Sequence, residues 1–432
     1  MLRSMKKTLA LCASLVLMST AQICNAGIVS TGAMLTPEYW IQQNPNANAV
    51  ILDAKGVSNL NSKIVSESPS VCDLASYPVS VTGVIIRSDI ADYSLLEDDL
   101  YLRGMKVSDN YKNILRTQTN ISAIPGTISV QYGVVVRRCP VRNLPTGEAL
   151  FYDPEDKDFD ALQETMLDPC EPVAILHTSQ NGYFYYVQAR NYKGWIYKGN
   201  VGLTDRKTWL EYVKPSNFLV VTDKDLTLKV GAEQVLYQQG SVLPIVKEVP
   251  EYRTVAAPAR DKNGRLIKEP VNVLKSNTKV NKGFLPYTSA NIIKSAFKFY
   301  NSPYGWGGLK DSVDCSSLVF NVYRTVGIYL PRNADEQETT AGAIVNLSGM
   351  DIAQRNVQIG ALVPGAALAM PNHIVLYLGQ NNDEAYAIHS LGSHVENGAR
   401  KVEMKVVVSD LKLKRADGAS YLAHLTSACE YR

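Results

Sequence analysis

Pro303-Tyr304-Gly305-Trp306-Gly307-Gly308, followed shortly by Asp314-Cys315-Ser316-Ser317, is the densest cluster of unusual residues in the chain. It runs directly into Leu318, Val319, Val322, Tyr323 and Val326, an apolar pattern at helical spacing. The pattern places Cys315 at a helix N-terminus, with Asp314 or Ser316 opening the helix and Gly327 and Pro331 closing it. A cysteine there faces the positive end of the helix dipole and unpaired N–H groups, which favours thiolate. The same N–H groups can hold an oxyanion on an acyl intermediate. The three glycines let the preceding loop approach a substrate backbone closely.

A thiolate needs a partner base, and the chain has five histidines. His373 opens the run Asn372-His373-Ile374-Val375-Leu376-Tyr377-Leu378-Gly379. With a period of two it shares a strand face with Val375 and Tyr377, as a base aimed at a helix terminus would. His389 ends the next short apolar run, so a hairpin would bring it beside His373 to fix the tautomer. His394, followed by Glu396 and Asn397, reads as a loop residue, while His177 and His424 lie far off in sequence. Taken singly, a cysteine at a helix start or a histidine in a strand is more often structural than catalytic. No Cys-x-x-Cys or His-x-x-x-His spacing suggests zinc. The glycine loop lacks the Lys-Ser/Thr of a phosphate-binding loop. No cofactor is expected.

Outward from this cluster, residues 288–432 read as α+β: a helix capped by Ser289 and running to Tyr300, the Cys315 helix, then strands His373–Leu378, Ala385–His389 and Val402–Val407. Residues 204–287 read as β, with Phe218–Thr222 and Val242–Val246 as strands and Asn263-Gly264 as a hairpin turn between two more. Residues 121–203 also read as β, with short apolar runs spaced as in a small barrel. They are interrupted by a long polar excursion, Leu144 to Glu171, of the kind that is often functional. Residues 27–120 are mixed, with helices near Leu60–Val65 and Tyr111–Leu115.

The first 26 residues read as an export signal: Arg3, Lys6 and Lys7, then an apolar run from Leu9 to Met18, then small-residue cleavage sites after Ala21 and Ala26. That run is shorter than the roughly 20 residues a bilayer span needs. The expected location is periplasmic or extracellular, with no stable membrane span. A net charge of +3 over 432 residues gives no case for nucleic acid. Cleavage after Ala26 leaves Cys72, Cys139, Cys170, Cys315 and Cys429. The number is odd, so one thiol is left to inspect.

The motifs Tyr304-Gly305-Trp306-Gly307-Gly308, Asp314-Cys315-Ser316-Ser317-Leu318-Val319, Gly327-Ile328-Tyr329-Leu330-Pro331-Arg332 and Asn372-His373-Ile374 resemble the NlpC-type cell-wall cysteine peptidases. The resemblance implies a papain-like fold over residues 288–432. It also implies cleavage of the bond between D-γ-glutamate and a diamino acid in peptidoglycan stem peptides. Under it Cys315 is the nucleophile, His373 the base and His389 the orienting group. Tyr304 and Trp306 line the substrate cleft, and Asp314 and Ser316, beside the nucleophile, are expected to bind substrate too.

Upstream, Val141-Arg142-Asn143-Leu144-Pro145-Thr146, Glu171 to His177 and Tyr192-Lys193-Gly194-Trp195 are similar to the first bacterial SH3-like domain of multidomain members. The implied architecture is two small all-β SH3-like barrels, 121–203 and 204–287, ahead of the catalytic domain, with 27–120 as a stabilising segment. The first barrel would wall one end of the cleft, with Tyr192 as a contact residue. Several members have an acidic residue after Pro-Arg that binds the free amine of L-Ala. Here Asn333 stands in that place, which puts strict dependence on a free N-terminal L-Ala in doubt. A wall-binding module with an idle site and an acyl transferase using the same thiol are the alternative functions.

Cys139 and Cys170 flank the excursion and are expected to pair, closing a loop of about 30 residues worth roughly 3 kcal/mol. Cys72 with Cys429 is the residual pairing. The chain is expected to act as a monomer on stem peptides.

Overall fold

The computed structural model describes residues 27–432, so the expected export signal lies outside the described residues. The first β region forms one antiparallel sheet from β1 (Gln131–Val135), β2 (Cys139–Arg142), β3 (Gln163–Leu167), β4 (Pro172–Thr178), β5 (Phe184–Gln188), β6 (Lys193–Tyr197) and β7 (Val201–Thr204). Their spatial order is β7-β1-β4-β5-β6-β2-β3. The long excursion joins β2 to β3.

The second region holds β8 (Phe218–Val221), β9 (Asp225–Val230), β10 (Glu233–Gln238), β11 (Val242–Glu248), β12 (Tyr252–Arg260), β13 (Leu266–Leu274) and β14 (Val280–Lys282). Five of these make a sheet in the order β13-β12-β11-β8-β14, and β9 pairs with β10. Asn263-Gly264 turns the β12–β13 hairpin as its sequence requires, with Gly264 at φ 82° and Arg260 opposite Leu266. One core runs through both regions and the segment before them, joining Leu74 and Ile86 to Val134, Trp195, Trp209, Leu219 and Tyr237. Packing is therefore continuous across residue 203.

The C-terminal unit is a six-stranded antiparallel sheet of β15 (Ala343–Asn346), β16 (Ala367–Met370), β17 (His373–Asn381), β18 (Glu384–Glu396), β19 (Ala399–Asp410) and β20 (Ser427–Glu430), ordered β15-β20-β16-β17-β18-β19. Helices α1 (Ser289–Phe297) and α2 (Cys315–Arg324) cover one face; the short helix α3 (Ala334–Thr339) follows. Leu318, Val319 and Val322 of α2 pack with Ile374, Leu376 and Ile388 of the sheet in a single core. Truncating one of these buried leucines to alanine costs about 2–5 kcal/mol. Trp40 of the N-terminal segment is fully buried in the same core, 5.3 Å from the Tyr386 ring. That segment is part of the C-terminal unit's packing.

Four local expectations change. Thr288, not Ser289, caps α1, accepting from the Asn291 N–H, and the helix stops at Phe297. His394 is a buried residue of β18, not a loop residue, because β18 and β19 run on past the apolar stretch as a long ribbon. All five described cysteines are free. Cys139 points into the core with Val141, Leu167 and Ile196, whereas Cys170 points into the core of Trp209 and Tyr212. Side chains entering different cores cannot meet the Cβ separation of a disulfide. Cys72 and Cys429 are likewise apart: one thiol donates to the Ala189 carbonyl, the other to that of Glu338.

Candidate active site

Asp314 is the N-cap of α2, and this sets the position of Cys315 as the first helical residue. The Asp314 carboxylate accepts from the Ser317 N–H at 2.8 Å, while the Asp314 N–H donates to Ser317 Oγ at 2.8 Å, a reciprocal cap. Its second oxygen accepts from the Gly307 N–H at 2.9 Å and from Arg332 at 2.5 Å. Arg332 also donates to Ser316 Oγ and to Thr165 Oγ1, both at 2.8 Å. Burial pushes the Asp314 carboxyl up, but the Arg332 guanidinium and these donors outweigh it and hold it below the usual carboxylate range. Asp314 and Ser316, expected beside the substrate, thus commit their side chains to one buried network that fixes the helix start.

Opposite this helix start stands the opening of β17. The Ile374 N–H reaches the Cys315 sulfur, so the thiol lies against the strand that His373 begins. His373 Nε2 and His389 Nδ1 are 3.0 Å apart, and His389 Nε2 lies 2.9 Å from Ser409 Oγ. One tautomer assignment leaves His373 Nδ1 free to accept a proton. In it His373 Nε2–H donates to His389 Nδ1, and His389 Nε2–H donates to Ser409. Tyr421 packs 5.5 Å from both imidazoles. Ser409 was not singled out in the sequence. Its signal is a lone hydroxyl ending Val406-Val407-Val408, on the strand that pairs with His389.

The expected resting thiolate does not match the electrostatics. Burial pushes the Cys315 thiol up to about 11, with Asp314 adding to it against the Ile374 N–H and Arg332. Burial, with Arg415, pushes His373 down to about 3, and burial holds His389 well below its ordinary value. Burial therefore favours a neutral thiol and a neutral imidazole, against the dipole of the helix terminus.

The first β region reaches this site through its excursion. A buried ion pair of Arg142 with Asp160, 2.6 Å, anchors the loop, and Asp160 also accepts from the Leu150 and Leu162 N–H groups. The anchored loop sets Phe159 edge-on to Trp306 at 5.5 Å and tilted on Tyr304 at 5.8 Å. Trp306 Nε1 donates to the Asp160 carbonyl at 3.1 Å. Tyr304 is buried and Trp306 is 37% exposed, so the indole offers a face to solvent. The glycines serve this contact. A Cβ on Gly307 would stand 2.6 Å from Gln163 Cγ, and Gln163 donates to the Gly307 carbonyl at 2.8 Å. At Gly307 and Gly308, whose Cβ positions Gln163 and Met166 would crowd, the missing side chains let the β sheet approach the loop.

A bulge explains how β3 does this. Val141 pairs with Thr165 and Arg142 with Gln163, leaving Glu164 as the extra residue. Gln163 and Thr165 then hold Gly307 and Arg332, while the half-buried Glu164 hydrogen-bonds the Tyr192 hydroxyl. That hydroxyl also meets the Asn333 side chain. Tyr192 and Asn333 therefore come together, and Glu164 supplies a carboxylate beside them that the sequence reading missed. Among the described residues, no group of three or more His, Cys, Asp and Glu could hold a metal, and no helix is long and apolar enough to cross a membrane.

A thiol at a capped helix start thus lies against the strand whose first residue, His373, hydrogen-bonds a second histidine. Residues 301–410 match the model of the NlpC/P60 family, and residues 149–197 match that of an SH3 domain of the SH3b1 type. The chain is 33% identical over 106 residues to the bifunctional muramidase/DL-endopeptidase CwlT of Bacillus subtilis (strain 168), covering 24% of this chain and 30% of that protein. It thus spans under a third of that curated relative's length. An NlpC/P60 endopeptidase structure from Photobacterium damselae subsp. piscicida superposes with a TM-score of 0.75 at 19% identity, over 94% of this chain and 99% of that one. Residues 301–410 thus carry an NlpC/P60 domain and residues 149–197 an SH3 domain.

Proposed function

We propose that this protein is a cysteine endopeptidase that hydrolyses the γ-D-glutamyl–diamino acid bond of peptidoglycan stem peptides, with meso-diaminopimelate as the diamino acid. The observation that carries the reading is the Cys315 thiol at the start of α2 beside the Ile374 N–H, on the strand whose first residue opens a His373–His389–Ser409 relay. His373 Nδ1 takes the Cys315 proton as sulfur attacks the γ-carbonyl. Free N–H groups at the start of α2 stabilise the oxyanion. The imidazolium then protonates the departing amine, leaving a thioester on Cys315. Water, deprotonated by the same imidazole, releases the acid and restores the thiol.

Residues 121–203 act as an SH3-like wall at one end of the cleft, residues 204–287 as a second SH3-like unit, and 27–120 as a stabilising segment. The enzyme acts as an exported monomer. Phe159, Tyr304 and Trp306 line the cleft, and Tyr192, Asn333 and Glu164 close its amine end. Glu164 replaces the acid that Asn333 lacks, so a free L-Ala amine is recognised after all, by a charge from the preceding domain. The test compares free L-Ala-γ-D-Glu-diaminopimelate with the same stem attached to glycan. Preference for the free peptide by wild-type protein, with no turnover by folded Cys315→Ala, supports the reading. Equal rates on both substrates contradict the wall, and turnover by Cys315→Ala contradicts the chemistry.

A further inference from the structure

Gly27, the first described residue, is built into the catalytic sheet. Its N–H donates to Asp410 at 2.9 Å, and the Asp410 N–H donates back to the Gly27 carbonyl at 3.1 Å. Ile28 bridges Ser409, and the Val29 N–H donates to the Val408 carbonyl at 2.9 Å, so residues 27–29 extend the sheet along β19. Gly27 has φ 137°, where side-chain-bearing residues are strained although the space beside it is open.

Asp410 is the unusual member of this set. It is 3% exposed, yet no lysine or arginine side chain among the described residues pairs with it. Lys412 donates its backbone N–H, at 2.9 Å, while its ammonium pairs with Glu384 and acts on Asp410 only through space. A buried carboxylate without a cation is costly. The backbone nitrogen already touching it is that of Gly27, directly after one of the two small-residue cleavage sites in the sequence.

We propose that export ends in hydrolysis of the Ala26–Gly27 bond, not the bond after Ala21, and that the released Gly27 ammonium closes a buried ion pair with Asp410. A leader peptidase adds one water, giving the Ala26 carboxylate and the Gly27 amine. The amine takes up a proton, since its unperturbed pKa is about 8. The cation is thereby created where the buried carboxylate lacks one. The pair holds the end of β19 next to Ser409, the last member of the histidine relay. The uncut chain has only a neutral amide in that place.

The full chain with its leader is expressed in a secreting bacterium, and the exported protein is sequenced from its N-terminus. Gly27 as the first residue is expected; Gln22, or an uncut chain, overturns the proposal. Full-length proteins starting at Gly27 and at Ala26 are then melted side by side. The added alanine should lower Tm by about 2–6 °C. Asp410→Asn should lower Tm of the Gly27-start protein and leave the Ala26-start protein nearly unchanged. Equal Tm for the two starts, or an equal Asp410→Asn effect in both, overturns the ion pair. The comparison of starts remains decisive if Asp410→Asn fails to fold.

Discussion

The two β regions sit against the same catalytic unit and share a core, but they meet it in different places. The first sends Phe159, Asp160, Gln163 and Thr165 to the loop and arginine that frame Cys315. The second reaches mainly the backs of α1 and α2: Gln239 donates to the Ser295 carbonyl at 3.0 Å, Asn321 donates to Gln238 at 2.9 Å, and Gln238 also donates to the Ser312 carbonyl at 3.2 Å. The difference comes from loop length. A bulged strand and a long anchored excursion can reach over a rim, whereas tight hairpins such as β12–β13 cannot. Similar sheets therefore meet the glycine loop on one side and mainly the helix backs on the other.

The largest expected effect lies in neither region. Cys315→Ala should abolish turnover while circular dichroism and Tm stay near wild type. His373→Ala should lose roughly 10²–10⁴-fold in kcat. His389→Ala should lose less, because Ser409 and water can partly orient the base. Next comes the first region. Glu164→Gln should lower kcat/KM on free stem tripeptide about tenfold or more, as loss of a charged hydrogen bond of about 1.5–3 kcal/mol implies. It should leave the rate on N-acetylated tripeptide unchanged, and an equal loss on both substrates would place Glu164 outside the amine site.

The second region gives a smaller effect of another kind. Gln239→Ala should cost about 1–3 kcal/mol of stability in denaturant melts with kcat unaltered. A change in kcat would bring that region into the site. Smallest of all is the response to acid between pH 7 and 5. With His373 pushed down to about 3 and Cys315 up to about 11, the pair stays neutral across this range. The kcat/KM profile should stay flat, and an acid limb centred near 6.5 would show an ordinary, solvated imidazole. Stability should nevertheless fall below about pH 6.5. There the unfolded imidazoles of His373 and His389 bind protons that the folded pair refuses.

The same contrast explains what the sequence made legible. The helix at Cys315 and the His373–His389 hairpin are written locally, in a cap and two alternating apolar runs. Glu164, Phe159 and Ser409 act across long sequence distances, and no local pattern marks them. Glu164 depends on a bulge in β3 that only the strand register reveals. His394 was misread because polar neighbours look like a loop when a two-stranded ribbon leaves the core. The Cys139–Cys170 expectation failed because flanking a loop says nothing about which core each side chain enters. The resting thiolate expectation weighed the helix dipole without knowing the burial.

The central claim is the bond that is cut. Purified protein incubated with L-Ala-γ-D-Glu-meso-diaminopimelate, with products identified by mass spectrometry, tests it directly. The account predicts L-Ala-γ-D-Glu and free diaminopimelate, formed only when Cys315 is intact. Release of free L-Ala, or an unchanged tripeptide under conditions where the protein is folded and its thiol reduced, would contradict it.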